Sequence, residues 1–248
     1  MHRSTETQHS GPALAGWRDY LRIARLDHVT KHVFIIPGIV LGGMLRGVRV
    51  ENIFLSAALG LLTAVAIASA NYVINEYLDR EFDRHHPTKS SRAAVQSQMK
   101  GRVIALEWLA LVAIGLGAAL IHSRLMFFVG VVFAMQGIFY NVAPLRLKDK
   151  AYLDVVSESI NNPLRLAIGW AIADPTSLPP GSLILAYWLG GAFLMGAKRL
   201  SEYHEIVATH DIELLTRYRA SFRNYTEISL VVSCLFYGLF SIAFMSIF

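Results

Sequence analysis

The sequence predicts an all-α protein, a polytopic bundle of transmembrane helices, and three observations lead there. Hydrophobic residues make up 54% of the 248-residue chain and charged residues 17%, too apolar a balance for a soluble domain of this length. The apolar residues gather into seven stretches, roughly 32–47, 52–75, 103–121, 125–142, 152–173, 181–197 and 224–247. Most of these approach the ~20 residues that a helix needs to cross a bilayer. The 23 Lys and Arg residues then fall on one side of those stretches, all but Arg46, Arg49, Arg124 and Arg165. That is the bias that keeps basic loops in the cytoplasm, and it accounts for the net charge of +5 without a nucleic-acid partner.

Taken in order, the first residues are polar, with Thr5, Glu6, Gln8 and His9 where the apolar core of a cleavable signal would stand. GWRDYLRIARLDH (16–28) reads as an amphipathic helix lying on the membrane surface. The chain therefore divides into a surface segment, 1–31, and a membrane domain, 32–248. The first apolar stretch is short and carries Pro37, whereas the second runs without a break into a cluster of acids. IHSR and DPTSLPPG are short outer connections, so the long charged loops all share the opposite, cytoplasmic face. Chemistry, if there is any, belongs on that face. The last stretch holds Cys234, the single cysteine, which excludes a disulfide framework and a Cys-based metal site. His85, His86 and His204 lack the spacing of a zinc set.

NYVINEYLDREFDRHHPTK (71–89) puts Glu76, Asp79, Glu81 and Asp83 within eight positions. If the second helix continues past Asn75, then Asn75, Asp79 and Asp83 recur every four residues, and Glu76 stands three before Asp79 on the same face. Like charges at that spacing repel, so a cation should offset them. Oxygen-only ligands favour Mg²⁺, which takes one or two carboxylates and completes its shell with water and phosphate oxygens. The plainer reading is a solvated helix end balanced by Arg80, Arg84 and Lys89.

Two further clusters converge on the same end. YNVAPLRLKDKAYLDVVSESINNPLR (140–165) places Tyr140 and Lys148 at the mouth and sets Asp154, Glu158, Asn161, Asn162 and Arg165 at helical spacings. Five polar residues on one membrane stripe imply a polar cavity. Arg165 should then pair with Asp154, Glu158 or a bound phosphate. GAKRLSEYHE brings Lys198, Arg199, Glu202 and Glu205 to the end of the sixth stretch.

These motifs resemble the UbiA prenyltransferase superfamily, whose first signature is close to N-D-x-x-D-x-x-x-D and stands here as Asn75-Glu76-x-x-Asp79-x-x-x-Asp83. HPTK, the stretch from Tyr140 to Lys148 followed by Asp154 and Arg165, and AKRLSE are most similar to the decaprenyl-phosphate phosphoribosyltransferase branch. The resemblance covers about residues 25–225. It implies Mg²⁺ held by Glu76, Asp79 and Asp83, with Asp79, Asp83 and Asp154 as catalytic residues. Substrate would be held by Asn75, Lys31, Lys89, Arg92, Tyr140, Lys148, Arg165, Lys198, Arg199 and Glu202. The second Asp-rich motif of aromatic-acceptor members is replaced by Lys198, Arg199, Glu202 and Glu205. Members usually have nine membrane helices, against the seven expected here before the chain reaches MSIF.

In such enzymes the metal neutralises a departing diphosphate and leaves an electron-poor carbon for the acceptor. The expected reaction is phosphoribosyl transfer from 5-phosphoribosyl diphosphate to a polyprenyl phosphate, which the many Lys and Arg at the mouth favour. The alternative is polyprenyl transfer from a polyprenyl diphosphate to an aromatic acceptor such as 4-hydroxybenzoate. A non-enzymatic membrane carrier is a reading of another class, opposed by the absence of matching charges in the outer halves of the helices. A bacterial inner membrane is the implied location.

Overall fold

The computed structural model describes residues 13–84, 88–208, 216–217 and 219–248. The polar start of the chain, His85 and His86 lie outside the described residues. A two-residue strand, β1 (Ala13–Leu14), leads into α1 (Trp17–Ile23), a 3-10 turn (Leu26–Ile35) and α2 (Ile36–Arg46). The long α3 (Ile53–Asp83) is followed by α4 (Ala93–Gln96), β2 (Ser97–Gln98), α5 (Gly101–His122) and α6 (Arg124–Asn141). Then come α7 (Leu153–Ser159), α8 (Asn161–Ala173), α9 (Gly181–Ala208) and α10 (Glu227–Ile247). The all-α expectation holds apart from one short parallel pairing of β1 with β2.

The seven expected membrane helices are five. Among the described residues, α3, α5, α6, α9 and α10 are long and apolar enough to cross a membrane, and the other two stretches fall short for local reasons. Pro37 sits in the first turn of α2, where its missing N–H is no loss, so the helix starts at Ile36 and has only 11 residues. At ~1.5 Å per residue that covers about half of a ~30 Å hydrocarbon core. The fifth stretch breaks at Ile160 into helices of 7 and 13 residues. Pro163 has no N–H for the carbonyl of Ser159, and its ring crowds that carbonyl.

The two short helices are packed deep against each other. A Cβ added to Gly38 would stand 2.1 Å from the Leu166 carbonyl oxygen, and one on Gly169 would stand 2.0 Å from that of Ile35. Only glycine allows this approach. Every residue of α8 from Pro163 to Ala173 is buried, including Ile168 and Ile172, which join Ile67, Met126 and Phe133 in the main core. The bundle's outer face is apolar as well, with Leu106, Leu109 and Leu120 on α5 and Val232, Leu235 and Leu239 on α10 exposed. Lipid is the medium that accepts such a surface. The chain is a multi-pass integral membrane protein.

The surface helix is shorter than its sequence pattern. It ends at Ile23 because Arg25 takes a left-handed conformation (φ 50°). Ile23 and Ala24 bury against Val73, Ala93, Ala94 and Ile104, leaving Trp17 and Leu21 outward. The backbone N–H of Lys100 donates to the Tyr20 hydroxyl at 2.9 Å, fastening α1 to the start of α5. The C-terminal ends of α3, α6 and α9 and the N-terminal ends of α5, α7 and α10 share one end of the bundle, the polar end.

Candidate active site

The last turns of α3 present Asn75, Asp79 and Asp83 on one face, as their spacing requires. The Asn75 amide donates to Asp79 Oδ2 at 3.2 Å and to Asn141 Oδ1 at 2.6 Å, tying α3 to the end of α6. Asp79 Oδ1 accepts Lys148 Nζ at 2.5 Å and Arg146 Nη2 at 3.1 Å. Both cations come from the turn after α6, where Arg146 adopts a positive φ of 31° and also bonds Asp149 at 2.7 Å. Asp83 is buried and paired with Arg92. Asp79, Asp83, Lys89, Arg146, Lys148 and Arg219 line one cleft.

Burial alters the lysines of this cleft. Lys89 is lowered to about 8 by loss of solvent, with Arg219 and Arg92 adding to the effect and Asp83 opposing it. Lys148 is lowered to about 8 by the same loss, against the pull of Asp79. Both are cations at neutral pH, yet held far more loosely than exposed lysines.

Glu76 is turned away from this cleft. It is buried, and its Oε2 accepts Arg25 Nε at 2.9 Å while its Oε1 faces the Ala94 N–H at 3.5 Å. One residue past Asn75 is a rotation of ~100° around the helix, which carries Glu76 to the side packed by α1 and α4. Among the described residues, no three His, Cys, Asp or Glu side chains converge as a metal cluster. The carboxylates that line the cleft are Asp79, Asp83 and Asp149, the last paired with Arg146 at 2.7 Å, and one or two carboxylates with water and phosphate oxygens are what Mg²⁺ needs.

Asp154, expected beside the chemistry, forms instead the centre of a saturated lock. It is fully buried and accepts Arg199 Nε at 3.1 Å, Arg219 Nη1 at 3.2 Å, the Ser221 hydroxyl at 3.0 Å and the Tyr225 hydroxyl at 2.6 Å. Arg199 spends its remaining donors on Glu158 at 2.7 Å and Glu202 at 3.0 Å. The Tyr140 hydroxyl donates to Glu158 at 2.9 Å and accepts from Arg219 at 3.3 Å. The hydrogen bond to Tyr140 and the carboxylates of Glu158 and Asp154 hold Arg219 above the usual guanidinium range, against the cost of its burial. Arg219 also lines the cleft of Asp79 and Asp83, so it joins lock and mouth.

The remaining expected residues separate. Lys198 is exposed and stands 4.0 Å from Glu202. Lys31 is outside the mouth, with its Nζ 5.2 Å from the Tyr72 ring centroid. Arg165 is buried but does not anchor the acidic stripe, since the break at Ile160 turns its helix out of register with Asp154 and Glu158, and Arg199 and Arg219 take those acids. His204 pairs with Glu227 at 2.9 Å. Sequence reasoning missed Arg25, Asn141, Arg146 and Arg219 as site residues. Arg146 and Asn141 lie within the motif that drew attention to Tyr140 and Lys148, whereas nothing in the local sequence marks Arg219.

An apolar helix bundle with acids and loop cations gathered in a cleft at one end defines a membrane protein with a charged site at that end. The chain belongs to the UbiA prenyltransferase family, whose profile matches residues 35–248. It is similar in fold to a UbiA homolog from Archaeoglobus fulgidus bound to DMAPP and Mg²⁺, with a TM-score of 0.72 at 20% identity over 92% of this chain and 76% of that one. The same homolog bound to GPP and Mg²⁺ gives a TM-score of 0.64 at 20% identity, over 92% and 86%. A digeranylgeranylglyceryl phosphate synthase structure gives 0.68 at 15% identity, over 92% and 75%. By sequence the chain is 31% identical over 155 residues to uncharacterized protein y4nM of Sinorhizobium fredii. It is 30% identical over 100 residues to nodulation protein NoeC of Azorhizobium caulinodans. The first match covers 61% of this chain and the second 40%, and they span only 28% and 30% of those relatives.

Proposed function

We propose that the chain is a magnesium-dependent membrane transferase that displaces diphosphate from a polyprenyl diphosphate and passes the prenyl group to a ring-bearing acceptor such as 4-hydroxybenzoate, at a mouth on the cytoplasmic face of a bacterial inner membrane. The observation that carries it is the shared cleft of Asp79 and Asp83, ringed by Lys89, Arg146, Lys148 and Arg219. The DMAPP and GPP bound by the Archaeoglobus homolog support a prenyl donor over the phosphoribosyl donor expected from the sequence motifs.

Asp79 and Asp83 would hold the metal, which supplies neutralisation of the leaving diphosphate when bound. Asn75 orients Asp79 through their hydrogen bond. Lys148 and Arg146, which balance Asp79 in the free protein, and Lys89 and Arg219 beside them, offer donors to the phosphate oxygens. The apolar bundle behind the mouth excludes water from the electron-poor carbon. Asp154 and Glu158 position Arg219 rather than touch substrate.

A second reading, phosphoribosyl transfer from 5-phosphoribosyl diphosphate to a polyprenyl phosphate, is favoured by one observation. The end of α9 brings Lys198 and Arg199 where aromatic-acceptor members carry a second acidic motif, so the acids that line the cleft come from α3 (Asp79 and Asp83) and the turn after α6 (Asp149), not from α9. Purified protein given labelled polyprenyl diphosphate with 4-hydroxybenzoate, and separately labelled phosphoribosyl diphosphate with polyprenyl phosphate, each with and without Mg²⁺, decides between them. The first pair is expected to yield a prenylated ring. A labelled lipid from the second pair alone would transfer the proposal to the second reading, and no product from either would overturn both.

A further inference from the structure

A second cleft, of about 600 Å³, opens beside α3 on the side that Glu76 faces, away from the mouth. Three guanidiniums line it: Arg22 from the end of α1, Arg25 from the turn that follows, and Arg92 from the residue that caps α4. Two of them are fixed in advance. Arg25 gives its Nε to Glu76 at 2.9 Å and Arg92 gives its Nη1 to Asp83, and both carboxylates are buried. Among the described residues their other guanidinium nitrogens have no hydrogen-bond partner, and the exposed guanidinium of Arg22 has none. The left-handed backbone at Arg25, with φ 50°, ends α1 and lets this side chain reach Glu76. A guanidinium held from one edge by a buried acid keeps its remaining donors for a second anion.

The same cleft has an apolar border. Leu21 and Leu26 line it and are more than half exposed, and Leu14 and Trp17 extend this exposed apolar surface along the surface segment. The segment sits where α5 begins, fastened by the Tyr20 bond to the Lys100 N–H, and beside the last turns of α3. At that depth the apolar helices give way to charged turns, which is the headgroup level of a bilayer. Asp27, an exposed carboxylate, and Glu76 also line the cleft, so three cations outnumber two acids. A soluble anion would use the arginines alone and a neutral lipid the leucines alone. An amphiphile with an anionic head uses both. The diphosphate of a donor has its own cations, Lys89, Arg146, Lys148 and Arg219, in the other cleft.

We infer that this cleft holds the headgroup of an anionic glycerophospholipid of the surrounding bilayer, with its phosphate on Arg22, Arg25 and Arg92 and its acyl chains beside Leu21 and Leu26. Planar guanidiniums take phosphate oxygens through paired hydrogen bonds, and a basic pocket at the membrane surface adds the attraction of the anionic leaflet. The lipid neither gives nor receives the transferred group, so the inference stands apart from the transferase reading.

The test uses the purified full chain in detergent, with native mass spectrometry counting bound lipid as dioleoyl phosphatidylglycerol or dioleoyl phosphatidylcholine is added. The two share their acyl chains and differ in headgroup charge. One phosphatidylglycerol is expected to stay bound under conditions that strip phosphatidylcholine. Arg22→Gln, at an exposed side chain with no partner to lose, should weaken that binding by about threefold. The double variant Arg22→Gln, Arg25→Gln should weaken it by at least about tenfold, the scale of a lost charge-assisted contact. Arg25→Lys, which keeps a cation opposite Glu76 and guards against a misfolded Gln variant, should retain part of the binding. Arg18→Gln removes the same charge from the same helix outside the cleft, and should leave binding unchanged. Equal retention of the two lipids, or equal weakening by Arg18→Gln and Arg22→Gln, would overturn the inference in favour of general attraction to a basic surface. Displacement of phosphatidylglycerol by inorganic phosphate, or by an equal concentration of a short polyprenyl phosphate, would overturn it too, by assigning the cleft to a free anion or to a substrate lipid.

Discussion

The mouth and the lock are built from the same residue types, Asp and Glu against Arg, Lys and Tyr, yet their surroundings give them opposite properties. At the mouth, Asp79 and its partners Arg146 and Lys148 border a cleft, and both cations come from the turn after α6. At the lock, Asp154 is fully enclosed and four donors from α9 and the 219–225 turn fill its oxygens. A carboxylate with replaceable partners is able to exchange them for a metal and phosphate. One fully enclosed and bound by four donors holds elements together. The first region suits the proposed chemistry, and the second holds Arg219 in line with it.

The largest effect should come from breaking the lock. Asp154→Asn leaves Arg199 and Arg219 under-neutralised in a buried site, a change worth about 3–5 kcal/mol of stability. Thermal unfolding in detergent should show a large drop in melting temperature without substrate present. An Asp154→Asn protein of unchanged stability but absent turnover would move Asp154 into the chemistry.

Asp79→Asn should show the opposite balance. Turnover should fall by roughly 10²–10³, the scale for loss of one preorganised charge contact. Stability should fall by only about 1–3 kcal/mol, because Lys148 loses its carboxylate but keeps its bond to Asn141 Oδ1 at 2.9 Å. Relief of like-charge crowding on the α3 face would by itself give no loss at all. The ion pairs with Lys148 and Arg146 reverse that sign.

What the sequence made legible was local. The common face of Asn75, Asp79 and Asp83 follows from helical spacing within one continuous apolar run, and five of the seven apolar stretches are long helices. The apparent stripe from Asp154 to Arg165 assumed an unbroken helix, and Pro163 at its centre breaks it. Glu76 was grouped with its neighbours because i, i+3 spacing approximates a face, but the packing of α1 and α4 against that side captures it for Arg25. The saturation of Asp154 was invisible, since Arg219, Ser221 and Tyr225 lie more than sixty positions away in the chain.

A smaller effect concerns pH. Lys89 and Lys148 are held at about 8, below their ordinary value of 10.5, by burial. Between those values the unfolded chain binds more protons than the folded one, so their contribution to stability rises with pH from about 8 and carries its full cost below that point. For function the sign is reversed: above about pH 8 the mouth loses positive charge, and the KM for a diphosphate donor should climb. Lys148→Arg, which stays charged, should flatten that climb. Equal climbs in both proteins would show that another group titrates.

Glu76→Gln should have the least effect on turnover, within about threefold, because Glu76 stands outside the cleft with Arg25 as its partner, although removing the charge of this buried carboxylate should cost about 1–3 kcal/mol of stability. The most direct test of the division between mouth and elsewhere is therefore the Mg²⁺ dependence of diphosphate release from the donor in Glu76→Gln and Asp83→Asn, measured side by side. The account predicts that Glu76→Gln saturates at the Mg²⁺ concentration of the unmodified protein, while Asp83→Asn loses release or needs far more metal. A normal Mg²⁺ curve for Asp83→Asn together with a lost or displaced one for Glu76→Gln would contradict it.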